Sequence, residues 1–239
     1  MKLMKYLNTS KSQQHGFTLI EIMLAISLSL VLIAGVIQIY LSSKESFRVQ
    51  NELARLQENQ RIAIEFLQRD ISQTGFVPYP NGPIPGPDIT VIDGGGANSD
   101  TITVQHTSTI DCLGAATPAG IAINTYTINP VTLQLMCLGN GNAIPQPIAD
   151  GIENMQILLG DNVTIGNDPL TGPSADRYVN PATAGVNVVS VRVALLIRSQ
   201  GPIKKQAAVQ NFILLDSNVA QNDRLKRQVI TTTIPLRNV

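Results

Sequence analysis

An uninterrupted apolar run near the N-terminus constrains this chain more than any other feature. Residues 17–41 read FTLIEIMLAISLSLVLIAGVIQIYL and contain one acidic side chain, that of Glu21, and no basic one. At 1.5 Å per residue, a helix of this length crosses the roughly 30 Å hydrocarbon core of a bilayer. The run therefore predicts a helix that is surrounded by lipid or by the apolar core of a helical filament.

The residues before this run predict its orientation. Residues 1–16, MKLMKYLNTSKSQQHG, carry three lysines and no acid, which favours a cytoplasmic location for this end and the far side of the membrane for everything after Tyr40. A secretory signal has an apolar core of about 7–15 residues followed by a small-residue cleavage site. Here the run is longer and the small residue, Gly16, precedes it. We therefore expect a segment that is kept as a membrane anchor.

The helix is expected to continue beyond the apolar run as an amphipathic extension at 42–75. No Pro or Gly interrupts the sequence until Gly75, so one helix is predicted from about Phe17 to Thr74, about 87 Å long. Its second half carries one apolar stripe, formed by Leu53, Leu56, Ala63, Leu67 and Ile71. This stripe favours packing against a folded domain, and a coiled-coil or stalk helix is the alternative.

The rest of the chain, 76–239, reads as a β-rich domain with long Gly/Pro loops. Short β-branched segments recur between turn residues and predict strands, listed here: 89–92, 101–106, 121–128, 131–138, 152–159, 186–198, 206–215 and 227–234. In the strand at 186–198, Val189, Val191 and Val193 alternate with Ser190 and Arg192, which indicates one buried face. The predicted fold class is α+β, with an antiparallel sheet packed on the second half of the long helix.

Composition and motifs argue against several functional classes. The 17 Lys and Arg balance 17 Asp and Glu, whereas nucleic-acid binding needs a basic surplus, and only two His and two Cys are present for zinc.

His106, Asp111 and Cys112 lie too close together in an extended chain to form a catalytic triad. Three other acids, Asp161, Asp168 and Asp176, do not have the spacing of an EF-hand and are read as solvated loop acids rather than a calcium site. Gly94–Gly96 lacks the phosphate-loop pattern. We expect no enzyme activity, no metal and no cofactor.

The residues around Gly16 form a recognisable motif. Gly16 is followed by Phe17, Thr18, Leu19, Ile20 and Glu21, and this GFTLIE string is similar to the processing site of type IV prepilins. The resemblance implies cleavage by prepilin peptidase between Gly16 and Phe17, followed by N-methylation of Phe17. It also implies that Glu21 meets the N-terminal amine of a neighbouring subunit and sets the axial register during assembly. The alternative for Glu21 is a passive carboxylate at the membrane interface.

Two later segments resemble PilW-type minor pilins of the type IV pilus. They are the stretch 151–161, GIENMQILLGD, and the closing stretch 225–238, LKRQVITTTIPLRN. A PilW-type identity implies a subunit of the inner membrane, with a periplasmic domain, that helps to initiate pilus assembly and ends near the fibre tip. Its implied partners are prepilin peptidase, other minor pilins, the major pilin, the inner-membrane assembly platform and a tip adhesin.

Cys112 and Cys137 are the two cysteines of the chain, and both follow the membrane segment. In a pilin they would face an oxidising compartment, where a disulfide stabilises by ~3 kcal/mol. Two buried thiols or a redox pair are the alternatives, although redox pairs more often have the spacing Cys-x-x-Cys.

Three other functions remain open from the sequence. A J-type minor pseudopilin of type II secretion shares the processing motif, the long helix and the larger domain. A membrane-anchored adhesin would present an aromatic or basic patch, whereas the basic doublets Lys204-Lys205 and Lys226-Arg227 read as solubilising charge beside strands. A membrane-anchored hydrolase would need a group of catalytic residues, and no residues in the sequence have the pattern of such a group.

Overall fold

One long helix opens the structure, a computed structural model that describes residues 16–78, 88–163, 174–185 and 187–238. The chain divides into two units, Met1–Arg48 and Val49–Val239, and helix α1 (Leu19–Ser72) contributes residues to both. The predicted helix is therefore present, but it begins after Phe17 and ends before Thr74. At its C-terminal end, Gly75 has a φ of +75° and donates its N–H to the carbonyl of Gln105 at 2.9 Å, which turns the chain toward the sheet.

The described part of Val49–Val239 contains eleven strands. They are β1 (Ile89–Ile92), β2 (Thr101–Thr107), β3 (Ile121–Asn129), β4 (Gln134–Gly139), β5 (Gln146–Asp150), β6 (Ile152–Asp161), β7 (Arg177–Val179), β8 (Val188–Arg198), β9 (Ala208–Leu214), β10 (Ser217–Asp223) and β11 (Arg227–Pro235). All pairings are antiparallel and give three sheets, in the orders β1-β2-β3-β4-β5, β11-β8-β6-β7 and β10-β9. We expected a single sheet, and the described residues form three.

The predicted apolar stripe of α1 forms one wall of the main core. Leu56, Ala63, Leu67 and Ile71 are buried, whereas Leu53 is only half-buried. Both larger sheets contribute to the same core, through Ile102, Val104, Tyr126, Leu135, Ile157, Val193, Ile197 and Ile234 among others. Each such side chain stabilises the fold by about 1.5–3 kcal/mol when fully buried. The α+β class, with the second half of the helix packed on antiparallel sheet, is confirmed.

Strand β8 differs from its prediction in a way that reveals the third sheet. Its odd-numbered residues, such as Val191 and Val193, face the main core as expected. Ala194 and Leu196 on the other face are also fully buried, in a second apolar cluster with Leu214. Phe212 of β9 and Val219 of β10 pack on this cluster, so the β9–β10 hairpin covers a face that the sequence led us to expect in solvent.

Turns and weak strand signals account for the remaining differences. The predicted strand 131–138 begins only at Gln134, because Pro130–Leu133 form a turn in which Leu133 has a φ of +56°. Three strands were missed: β5 contains Pro147, β7 has three residues, and β10 is mostly polar.

The end of the chain returns to the end of the helix. The side-chain amide of Asn238 donates to the carbonyls of Gln73 and Thr74, at 3.4 and 3.1 Å. Just before it, Ile234 and Leu236 are buried in the main core together with Ile71 of α1. The first and the last elements of the Val49–Val239 unit therefore close the same core.

Candidate functional site

Thr18 sets the start of α1. Its hydroxyl accepts the N–H of Glu21 at 3.3 Å, and its carbonyl accepts the N–H groups of Glu21 and Ile22 at 3.1 and 3.2 Å. Thr18 is thus an N-cap, with Glu21 in the first turn at the acidic position of a capping-box sequence. Gly16 and Phe17 precede the cap without helical structure, so the peptide bond between them lies outside the helix.

The first unit presents an apolar surface. Every large apolar side chain between Leu19 and Leu41 is exposed, and this helix is long and apolar enough to cross a membrane, with a mean hydropathy of 2.6 in its most apolar window. The hydroxyls of Ser27 and Ser29 donate to the carbonyls of Met23 and Ala25 at 2.8 and 2.7 Å, so these polar groups are satisfied within the helix. An exposed apolar surface of this extent needs lipid or other apolar helices around it. Glu21 is the single acid in it.

Cys112 and Cys137 form a disulfide, with their Cα atoms 6.7 Å apart. The bond joins the loop before β3 to strand β4. Asp111 organises the same loop, because its carboxylate accepts the N–H groups of Leu113 and Ala115 at 2.9 Å and of Gly141 at 3.0 Å. Among the described residues no cysteine is free.

The residues considered as a catalytic triad have separate structural roles. Cys112 has no free thiol because it forms the disulfide, and the Asp111 carboxylate accepts hydrogen bonds from backbone N–H groups. His106 lies buried on β2, and its Nδ1 atom has no hydrogen-bond partner in the part of the chain that the structure describes. Burial lowers the pKa of His106, the nearby Asp70 carboxylate opposes that shift, and Arg69 adds to it.

The loop acids do not form a metal site in the described ranges. Asp161 is buried, and its carboxylate pairs with Arg177 at 2.9 Å. The carboxylate of Asp176 accepts the N–H of Val163 at 2.9 Å, and Asp168 lies outside the described residues. Within those ranges no three His, Cys, Asp or Glu residues are grouped so that they could hold a metal ion.

A buried carboxylate on α1 was missed by sequence reasoning. Asp70 lies on the domain-facing side of the helix and accepts hydrogen bonds from the Asn124 amide at 2.6 Å and from the Tyr126 hydroxyl at 2.5 Å. Burial and the proximity of Asp70 raise the pKa of Tyr126 far above its ordinary value, so this hydroxyl keeps its proton and acts as a donor. The Asn124 side-chain oxygen accepts the N–H of Cys112 at 3.0 Å. These bonds connect the end of α1 to the disulfide loop.

A second buried network joins the two segments that resemble PilW. Arg227 of β11, only 5% exposed, pairs with Glu153 of β6 at 2.6 Å and with Asp223 at 2.7 Å. Arg198 of β8, the strand between them, is 3.5 Å from Glu153. Hydrogen bonding to Arg227 lowers the pKa of Asp223 to about 2. The expectation that Lys226-Arg227 is solubilising charge is therefore wrong for Arg227, because its guanidinium is buried among carboxylates.

The 151–161 segment also holds the glycine-rich loop in place. The Asn154 amide donates to the carbonyl of Ala97 and the Gln156 amide to that of Asn98, each at 2.6 Å. Asp100 also holds this loop against β6, since its carboxylate accepts the N–H groups of Gly94 at 2.9 Å and Ile157 at 2.7 Å. Burial raises the pKa of Asp100, partly offset by these bonds. The loop thus has a structural explanation in place of phosphate binding.

Two families match the chain. The type IV pilus-assembly protein W family, PilW, matches residues 122–238, and the prokaryotic N-terminal methylation motif matches residues 11–37. The chain belongs to the PilW family. It is a type IV pilin-like minor pilin with a prepilin methylation motif, and this family consists of pilin structural proteins. The PilW match contains both Glu153 and Arg227, and the motif match contains Gly16, Phe17 and Glu21.

Comparison with individual proteins gives more distant similarities. No curated protein matches the chain significantly. A type IV-like pilin from Thermus thermophilus is 14% identical with a TM-score of 0.46, over 77% of this PilW chain and 96% of the other. A chain of the GspK-GspI-GspJ complex from the enterotoxigenic Escherichia coli type 2 secretion system is 12% identical with a TM-score of 0.35. This match covers 72% of the present chain and 97% of the other.

Proposed function

We propose that this PilW protein is cut by prepilin peptidase after Gly16, is methylated on Phe17 and helps to initiate type IV pilus assembly, near the fibre tip. The observation that carries the proposal is the arrangement around Thr18. A potential scissile bond lies outside the helix, a capped helix begins directly after it, and an apolar membrane-length surface follows.

The two units fit two stages of such a pathway. Before assembly, the apolar surface of residues 17–41 would lie in the bacterial inner membrane with the β-rich domain in the periplasm. The Lys-rich leader supports this orientation. In the fibre, the same surface would pack against the helices of other minor pilins and of the major pilin, which replace lipid as an apolar environment.

Glu21 is the residue to which we assign subunit register. A carboxylate in an apolar surface is costly unless a charged partner or water compensates it. The methylated amine of Phe17 on a neighbouring subunit is a cation that cleavage creates, and it would provide that compensation. A subunit whose amine misses the carboxylate would leave both charges unpaired.

The PilW match favours a pilus role over a type II secretion pseudopilin, because its family description concerns type IV pilus assembly. An adhesin role has less support from the structure, since one of the four basic residues considered for a patch, Arg227, is buried. The assembly platform and a tip adhesin remain proposed partners.

Intact-mass and N-terminal analysis of the membrane-extracted protein, with and without the prepilin peptidase of the same cells, tests the proposal. We expect a chain that begins at methylated Phe17 only when the peptidase is present. Gly16→Val should block processing without disturbing the fold, because no heavy atom lies within 4 Å of a Cβ added at Gly16. Gly35→Ala, at an equally open position in α1, is the matched control and should be processed normally. A chain that begins at Met1 in both strains would overturn the proposal.

A further inference from the structure

Strand β11 has one free edge, and the hydrogen bonds at its ends show which residues lie on it. Leu236 donates its N–H to Val189 at 3.0 Å, and Lys226 accepts the N–H of Ser199 at 2.8 Å. The β11–β8 register runs between these two pairs without a shift. Hydrogen-bonded residues alternate along an antiparallel ladder, so the even-numbered residues of β11 bond to β8. The odd-numbered residues, Val229, Thr231 and Thr233, direct their N–H and C=O groups away from it.

This edge lacks the usual protection against strand pairing. Within the described ranges, no strand pairs with β11 on the side opposite β8. Natural edge strands are protected by charges, Pro, bulges or short length. Residues 228–234, QVITTTI, contain no charge, no Pro and no Gly, and they are β-branched at six of seven positions. Within the two larger sheets the other edges are weaker templates, because β1 and β7 are only four and three residues long and β5 contains Pro147.

A groove borders this edge on the helix side. Its volume is about 540 Å³, and its walls are the outward face of α1, including Arg61, Glu65 and Gln68, and Ile230 of β11. Ile64 and Ile230 are partly buried against the main core and give the groove an apolar part. A strand added to β11 would lie about 4.8 Å away and would direct every second side chain into this space.

We infer that the β11 edge and the adjoining groove bind an extended segment of a neighbouring pilus subunit by strand addition. Unpaired backbone donors and acceptors in a row are complementary to another extended backbone, whereas a docked helix has no free backbone groups to offer them. The groove provides side-chain selectivity for apolar residues at alternate positions. Strand addition itself is inferred from the edge, and only the identity of the occupant as a pilus subunit rests on the proposed function.

Residue-resolved amide hydrogen exchange of the full chain tests this binding mode. The protein is compared in membranes from cells with intact pilus assembly genes and after purification in detergent. We expect the amides of Val229, Thr231 and Thr233 to exchange at least tenfold more slowly in the membranes. The amides of Ile230 and Thr232 bond to β8 and should be slow in both samples, so they are internal controls. Equal rates for the odd-numbered amides in both samples would overturn the inference.

A matched pair of variants tests whether the backbone is responsible. Thr231→Pro removes an outward N–H while leaving the bonds between β11 and β8, and Pro is tolerated at such edge positions. Thr231→Ala removes the same side chain but keeps the N–H. In the membranes, the Pro variant should lose protection at Val229 and Thr233, and the Ala variant should keep it. Protection that survives in a folded Pro variant would also refute strand addition.

The same samples separate this inference from the proposed function. Protected edge amides in cells whose pilus number does not depend on this protein would support strand addition and refute the assembly role. Unprotected amides in cells that lose pili when the protein is deleted would refute strand addition and leave the assembly role intact.

Discussion

Glu21 and Asp70 are carboxylates on the same helix, and each occupies a position where an apolar side chain would be expected. Glu21 is exposed among the apolar side chains of residues 17–41. Asp70 is buried against the sheet, where Asn124 and Tyr126 donate hydrogen bonds to it. The domain thus compensates Asp70 from within the chain, whereas the partner that we propose for Glu21 comes from another chain.

The difference between them is one of timing as well as place. Asp70 obtains its partners when the domain folds, so it contributes to the stability of an isolated subunit. Glu21 would obtain its partner only when subunits associate, so its contribution would appear only in an assembly. Substitutions at the two positions should therefore change different measurements.

The largest effect is expected at Asp70. Asp70→Ala leaves the Asn124 amide and the Tyr126 hydroxyl buried without their acceptor, and each stranded group costs about 1–3 kcal/mol. We expect the free energy of unfolding in denaturant titrations to fall by about 4 kcal/mol, with cleavage at Gly16 unaffected. Asp70→Asn retains one acceptor oxygen and should lose less. Equal stability of the wild type and Asp70→Ala would show that these bonds contribute nothing.

The disulfide comes next, because it supports the loop to which Asn124 is bonded. Replacing Cys112 and Cys137 together by Ser should lower the free energy of unfolding by about 3 kcal/mol. The double substitution avoids leaving a single reactive thiol. Thiol titration of the unfolded wild-type protein without reductant should find no free thiol, and two thiols per chain would contradict the disulfide.

At Glu21 we expect an effect on assembly alone. Glu21→Ala should be cleaved after Gly16 and unfold at the wild-type denaturant concentration. Its recovery in sheared pili should fall at least tenfold. Glu58→Ala, which removes an exposed carboxylate paired with Arg61 on the second half of α1, should be recovered normally. Loss of cleavage in Glu21→Ala would instead place Glu21 in peptidase recognition.

The smallest effect concerns the buried histidine near Asp70. The folded-state pKa of His106 lies below its ordinary value of about 6.5, because burial disfavours the charged ring. Below pH 6.5 the unfolded chain binds this proton more readily, so stability should decrease as the pH falls from 6.5 toward the folded-state pKa. His106→Gln should make the denaturant midpoint of unfolding less dependent on pH between pH 6.5 and 5. If the midpoint of His106→Gln changed with pH as steeply as that of the wild type, His106 would not be the group responsible for the pH dependence.

Local patterns in the sequence predicted the helix, its buried stripe and most of the strands. The stripe from Leu56 to Ile71 repeats at helical spacing, and the strands are β-branched runs between turn residues. The GFTLIE string likewise identifies the candidate cleavage site within one short segment. In each case the necessary information lies within a few residues.

Features that depend on residues distant in sequence were not predictable in the same way. In the sequence, Asp70 resembles a solvated acid on a helix. Only the structure shows that Asn124 and Tyr126 donate hydrogen bonds to it. Arg227 resembles a surface charge because its partner Glu153 lies on a different strand. The burial of Leu196 depends on the β9–β10 hairpin that folds over it. Such contacts come from topology, which no local periodicity encodes.

The contact between Asn238 and the end of α1 has a consequence for biogenesis. The helix is synthesised before the strand that completes its core, so in the periplasmic location that we propose the domain could not finish folding until β11 had crossed the membrane. A prematurely terminated chain would expose the unpaired side of β8 and leave Glu153 buried beside an absent Arg227. In that proposed location proteases would recognise such a product, and only subunits with a completed core would remain available for assembly.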